Sequence, residues 1–153
     1  MMLFLKIWDD FGASAWYTLW MKELEIVRQM VARLINADSG EIALGHSISS
    51  LFGTIASCIE FKDRHRVLVS ELDFPSANYQ WLARRKLGVE TVVLSSGDGI
   101  HIPIERYRSA LNKHTALIAT SHVFYRTGHI QDIVSVQNAA REYGTLCVFD
   151  AYQ

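Results

Sequence analysis

Four short stretches carry the residue types that could do chemistry. In Leu146-Cys147-Val148-Phe149-Asp150-Ala151-Tyr152-Gln153 an apolar run closes on a carboxylate. A carboxylate at the buried end of such a run is costly unless a cation or several donors meet it. No lysine or arginine lies close in sequence, so a ligand with a protonated nitrogen would serve Asp150, as would helix capping. Gly45-His46-Ser47-Ile48-Ser49-Ser50 is a glycine- and hydroxyl-rich turn opening a helical pattern. Free backbone N–H groups and the helix dipole suit a phosphate there, and an ordinary N-cap is the plainer reading. Glu71-Leu72-Asp73-Phe74-Pro75-Ser76 puts an aromatic ring and a fixed proline where a loop turns into a helix. Phe74 could stack on a planar ligand or plug the core beneath the loop. Ser121 to Gly128 is a long polar segment in which His122 and Arg126 are the reactive types; a satisfied histidine and a solvated arginine are the alternatives.

These stretches fall where a regular alternation of elements would put them. Short apolar runs at 41–44, 66–70, 90–94, 115–120 and 146–150 read as strands covered on both faces. Helical patterns lie between them at 47–60, 76–87, 104–111 and 133–143, several followed by a Gly or Asn that ends helices. Ahead of them, Trp16, Leu19, Trp20, Leu24, Val27, Met30, Val31 and Leu34 recur at intervals of three and four, the mark of one buried helical face over 16–36. Repeated β-α units imply an α/β fold, a doubly wound and mainly parallel sheet flanked by helices. Ligands of such sheets bind beyond the carboxyl ends of the strands, which is where the four stretches begin.

Composition narrows the classes further. Of 153 residues half are hydrophobic, a fifth charged and only 2 proline, which excludes a disordered or fibrous chain. A net charge of -1 provides no global field for nucleic acid or an anionic membrane, so neither is expected as a partner. No apolar run approaches the roughly 18 residues a membrane span needs. Cys58 and Cys147 sit in apolar stretches with neither a CxxC spacing nor a nearby histidine cluster, so no metal site is expected. With no visible export signal, they suit a reducing, cytoplasmic setting.

Taken together, the segments resemble the class V aminotransferase family of pyridoxal-phosphate enzymes, of fold type I, which includes kynureninases and cysteine desulfurases. The likeness runs from about Trp16 to Gln153. Its most specific part is Ser121-His122-Val123 followed by Thr127-Gly128, a helix ending in Arg141-Glu142-Tyr143-Gly144, and the strand closing on Asp150-Ala151-Tyr152-Gln153. The resemblance implies pyridoxal 5'-phosphate as cofactor. It implies that Asp150 pairs with the pyridinium nitrogen and that Gln153 contacts the ring region. Phe74 inherits the stacking role from the kynureninase-type Asp73-Phe74-Pro75-Ser76, and His46 and Ser47 the phosphate turn. His122 aligns with a position that is His in kynureninase-like and often Asn in desulfurase-like sequences. Pyridoxal phosphate is an electron sink while its ring nitrogen is protonated, a state that a paired carboxylate enforces.

The resemblance also implies a Schiff-base lysine on a strand after the Asp150 motif. Lys6, Lys22, Lys62, Lys86 and Lys113 do not occupy that place. A fragment of a longer enzyme is therefore expected, inactive alone, with the lysine encoded beyond Gln153. Residues 1–40 would be a helical segment packing on the sheet and 41–153 part of the cofactor-binding large domain, the small C-terminal domain being absent. Aminotransfer, C–S cleavage and kynurenine-type hydrolysis all begin from one external aldimine, so the implied substrate is an amino acid and the implied assembly of the longer enzyme a homodimer. The competing reading is a non-catalytic α/β domain that binds a nucleotide or serves as a partner subunit; the missing GxGxxG fingerprint counts against it.

Overall fold

The computed structural model describes residues 2–153, which divide into two compact units, one running up to Gly45 and the other His46–Gln153. In the first, helix α1 (Met2–Phe11) leads through a 3-10 turn (Gly12–Ser14) and a π-helical turn (Trp16–Trp20) into α2 (Met21–Ile35). Four aromatic rings organise this unit: Phe4 and Trp8 stack on Trp20 at 4.8 and 5.9 Å, and Trp16 meets it edge-on at 5.1 Å. The wider π turn is how two tryptophans four residues apart share this cluster before the regular helix begins. Helix α2 ends at Asn36, whose left-handed φ of 56° breaks the ladder.

The run 41–44, expected as a strand, is not one. Asp38 and Glu41 form a reciprocal capping box that winds Ser39–Glu41 into a 3-10 turn. The Arg28 guanidinium then takes the carbonyls of Ser39 and Ile42, each at 2.9 Å. With acceptors engaged by a side chain, the apolar run has no strand ladder to join.

The second unit is the α/β body. Its elements are α3 (Ile48–Cys58), β1 (Arg66–Ser70), α4 (Pro75–Leu82), β2 (Glu90–Leu94), α5 (Ile104–Ala110), β3 (Thr115–Ser121), α6 (Ile133–Glu142) and β4 (Leu146–Asp150). All strand pairs are parallel and the order is β2-β1-β3-β4. Central β3 is buried along all seven residues, as is β1 after Arg66, so both sequences read as unbroken apolar or small residues.

Alternation along β1 sorts the core into two layers. Val67 and Val69 pack with Phe52, Ala56, Ala77 and Trp81 of α3 and α4. Leu68 packs with Tyr107, Val136, Ala139 and Ala140 of α5 and α6. Helices thus cover both faces, and each fully buried aliphatic side chain contributes roughly 1.5–3 kcal/mol. The chain leaves β1 toward β2 on one side and leaves β3 toward β4 on the other. The crevice between the carboxyl ends of β1 and β3 is therefore the switch point of the sheet.

Candidate functional site

A cleft of about 400 Å³ opens at the carboxyl ends of the strands. Helix α3 meets it through its first turn. Ser47 is the N-cap, its hydroxyl accepting from the Ser50 N–H at 3.2 Å while the Ser50 hydroxyl accepts from the Ser47 N–H at 3.3 Å. The amides of Ile48 and Ser49 have no acceptor within the helix, as for any first turn. Helix α4 starts at the same cleft with Pro75 at its first position, and Ser76 lies 3.4 Å from Ser49, hydroxyl to hydroxyl. Two helix N-termini with serine hydroxyls between them favour an anion.

Asp150 lines the cleft from the last position of β4. Its Oδ1 accepts from the Tyr152 N–H at 3.0 Å, and among the described residues no cation pairs with it. A carboxylate oxygen is left for a donor from outside the chain. Phe74, the N-cap residue of α4, is half-exposed at the rim, where the Tyr125 ring meets it edge-to-face at 5.1 Å. Tyr152 and Gln153 complete that side.

His46, Ser47, Phe74, Asp150 and Gln153 therefore come together at one cleft. His122 does not line it. Ser121 and Val123 line the cleft and the residue between them does not, while the His122 backbone joins Asp150 and Gln131 through hydrogen bonds of 2.8 Å. No lysine lines the cleft either.

Beneath the cleft lies a polar cluster that sequence reading passed over. Asp73 is 3% exposed; its Oδ2 accepts from the Ser70 N–H at 2.7 Å, and its Oδ1 accepts from the Ser121 N–H at 2.7 Å and the Thr120 hydroxyl at 2.9 Å. Burial pushes its carboxyl pKa up, and the hydrogen bonds from Ser121, Ser70 and Thr120 pull against that shift. The Gln131 side chain donates to the Thr120 hydroxyl at 3.1 Å and to the Ser121 carbonyl, and accepts from the Tyr107 hydroxyl at 2.8 Å. Desolvation raises the Tyr107 pKa, so the phenol stays protonated and donates. A carboxylate three residues after a strand and just before an aromatic-proline helix start was the available signal for Asp73.

A doubly wound parallel sheet with two helix starts and an unpaired carboxylate facing one cleft at its carboxyl edge is the arrangement of a ligand-binding α/β protein. The chain belongs to the aminotransferase class-V family, whose family model matches residues 12–153. It is 32% identical over 133 residues to an uncharacterized aminotransferase, YcbU, of Bacillus subtilis, covering 87% of this chain and 35% of that protein. It is 31% identical to a kynureninase of Burkholderia pseudomallei (94% and 35% covered) and 28% identical to a probable cysteine desulfurase of Methanothermobacter thermautotrophicus (86% and 33%). The chain thus spans about a third of the length of these relatives. Among solved structures, the fold matches the cysteine desulfurase CsdA of Escherichia coli with a TM-score of 0.78 at 19% identity, covering 84% of this chain and 34% of that one. It also matches the lyase C-DES, solved with glycine covalently linked to its PLP cofactor, with a TM-score of 0.77 at 13% identity (97% and 43% covered).

Proposed function

We propose that the cleft of His46–Gln153 is the binding site for pyridoxal 5'-phosphate in an enzyme that transforms an amino acid. The observation that carries this reading is Asp150, a carboxylate that no cation pairs with among the described residues, lining the same cleft as two serine-bearing helix starts. The donor set fits the cofactor at three points. Ser47, Ser49, Ser76 and the amides at the start of α3 would hold the phosphate; Phe74 would cover the flat ring; Asp150 would take the ring-nitrogen proton.

When bound, the cofactor supplies an electron sink for charge that develops beside the amino nitrogen of the substrate. The chain's own residues set the conditions for it. Asp150 holds a proton on the ring nitrogen by stabilising the charged form. The Phe74 and Tyr125 rings, in edge-to-face contact, would form an apolar wall on one side of the cleft. Gln153 offers an amide to the ring region or the substrate. We further propose cytoplasmic placement and a homodimeric assembly; both cysteines are free thiols, as that setting allows.

Mixing the chain with pyridoxal phosphate, then scanning absorbance with and without borohydride reduction, tests the reading. A shifted spectrum that denaturation releases without borohydride trapping is the expected result. A spectrum identical to free cofactor refutes it.

A further inference from the structure

The ladder between β1 and β3 stops short of the cleft. Its last paired residues are Leu68 and Ile118, whereas β3 and β4 stay in register up to Ser121 opposite Asp150. At the switch point, therefore, no backbone rung ties Ser70 to Ser121. The Asp73 carboxylate spans that gap with one oxygen on the Ser70 amide and the other on the Ser121 amide, both at 2.7 Å.

We propose that Asp73 is a positioning residue for the cofactor cleft: it fixes the end of β3 through Ser121, and through the Ser121–Asp150 pair it sets how Asp150 meets the ring nitrogen. This rests on the cofactor reading above. Asp73 does not line the cleft, so it acts through Ser121 and not by contact with the ligand. Among the described residues no cation offsets its burial, and the direct partners of its carboxylate are two amides and one hydroxyl. Apolar residues would fill such a space at less cost if shape alone mattered. What a carboxylate adds is a two-sided acceptor that holds two strand ends together beyond their last paired residues. Thr120 of β3 bonds it directly, and Tyr107 of α5 and Gln131 of the loop before α6 hold Thr120 in turn.

The probe is pyridoxamine 5'-phosphate, which has the ring nitrogen and phosphate but no aldehyde to react with surface lysines. Its affinity and the pH titration of its bound ring are read by absorbance on the full chain, beside a thermal melt. Asp73→Asn places an amide NH2 against an N–H donor, so one strand end loses its acceptor. Binding should weaken about tenfold, and the bound ring nitrogen should lose its proton at a pH about one unit lower. A purely structural Asp73 would lower the melting temperature and leave the ring titration of the folded, loaded protein unmoved; that result overturns the proposal. Thr120→Val keeps the side-chain shape and removes one donor to Asp73, and should shift the titration in the same direction by less. It decides the matter should Asp73→Asn not fold, an unmoved titration again overturning the assignment. Failure of the unmutated chain to bind the probe would instead overturn the cofactor reading, and this inference with it.

Discussion

The hydroxyls of Ser49 and Ser76 lie 3.4 Å apart, joining the first turns of α3 and α4 across 27 positions of sequence. A bound phosphate would place its oxygens between these donors. Replacing both, as Ser49→Ala with Ser76→Ala, removes two hydrogen bonds to a charged group, each of which contributes about 1.5 kcal/mol or more. Affinity for pyridoxamine 5'-phosphate should fall by at least tenfold, with little change in affinity for the phosphate-free vitamer. Equal losses for both compounds would show that the serines do not hold the phosphate.

Phe74→Ala removes a half-exposed ring, so the melting temperature should change little. Stacking of a flat heterocycle on an aromatic ring contributes about 0.5–1.5 kcal/mol, and cofactor affinity should drop accordingly, by roughly two- to tenfold. Phe74→Tyr should retain binding. A variant that unfolds without a binding defect in its folded fraction would assign Phe74 to packing.

At the opposite end of the sheet, Arg64 donates to the carbonyls of Thr115, Tyr143 and Gly144 and to the Thr145 hydroxyl. It ties the start of β3 to the turn between α6 and β4. Arg64→Ala strands several of these acceptors and should cost about 2–3 kcal/mol in urea unfolding, with no change in the spectrum of bound cofactor. A shifted spectrum with unchanged stability would reverse that assignment.

Burial raises the Cys147 thiol to about 11. A group that holds its proton more tightly when folded loses stability as pH rises, here from its ordinary value of 9.0 up to about 11. At pH 8 Cys147 is therefore almost wholly thiol and should react with a disulfide reagent far more slowly than exposed Cys58. Stopped-flow labelling of Cys58→Ser and Cys147→Ser reads the two rates separately. Equal rates would contradict the burial of Cys147.

Strands β1 and β3 were legible because Val67-Leu68-Val69 and Ala116-Leu117-Ile118-Ala119 are covered on both faces and carry no competing polar instructions, while β2 and β4, flanking them, are partly exposed. The run 41–44 is apolar after Glu41, yet the deciding residue, Arg28, lies a helix away and takes the Ile42 carbonyl that a strand would need. Asp150 stood out because its surroundings in sequence are apolar and lack a cation. Asp73 did not, because the amide it holds is 48 residues on and only the assembled switch point brings the two together. That Ser121 and Val123 line the cleft and His122 does not depends on how the chain leaves β3 at Ser121, which a loop reading of 121–128 does not contain.

The role of Asp150 is tested most directly by the protonation of the bound ring. Pyridoxamine 5'-phosphate labelled with nitrogen-15 in the ring, bound to the full chain at pH 8, should give a pyridinium nitrogen signal that becomes a neutral pyridine signal in Asp150→Ala, because the carboxylate stabilises the charged form. A neutral ring in the unmutated chain, or a pyridinium signal that survives Asp150→Ala, would contradict the cofactor site described at the end of β4.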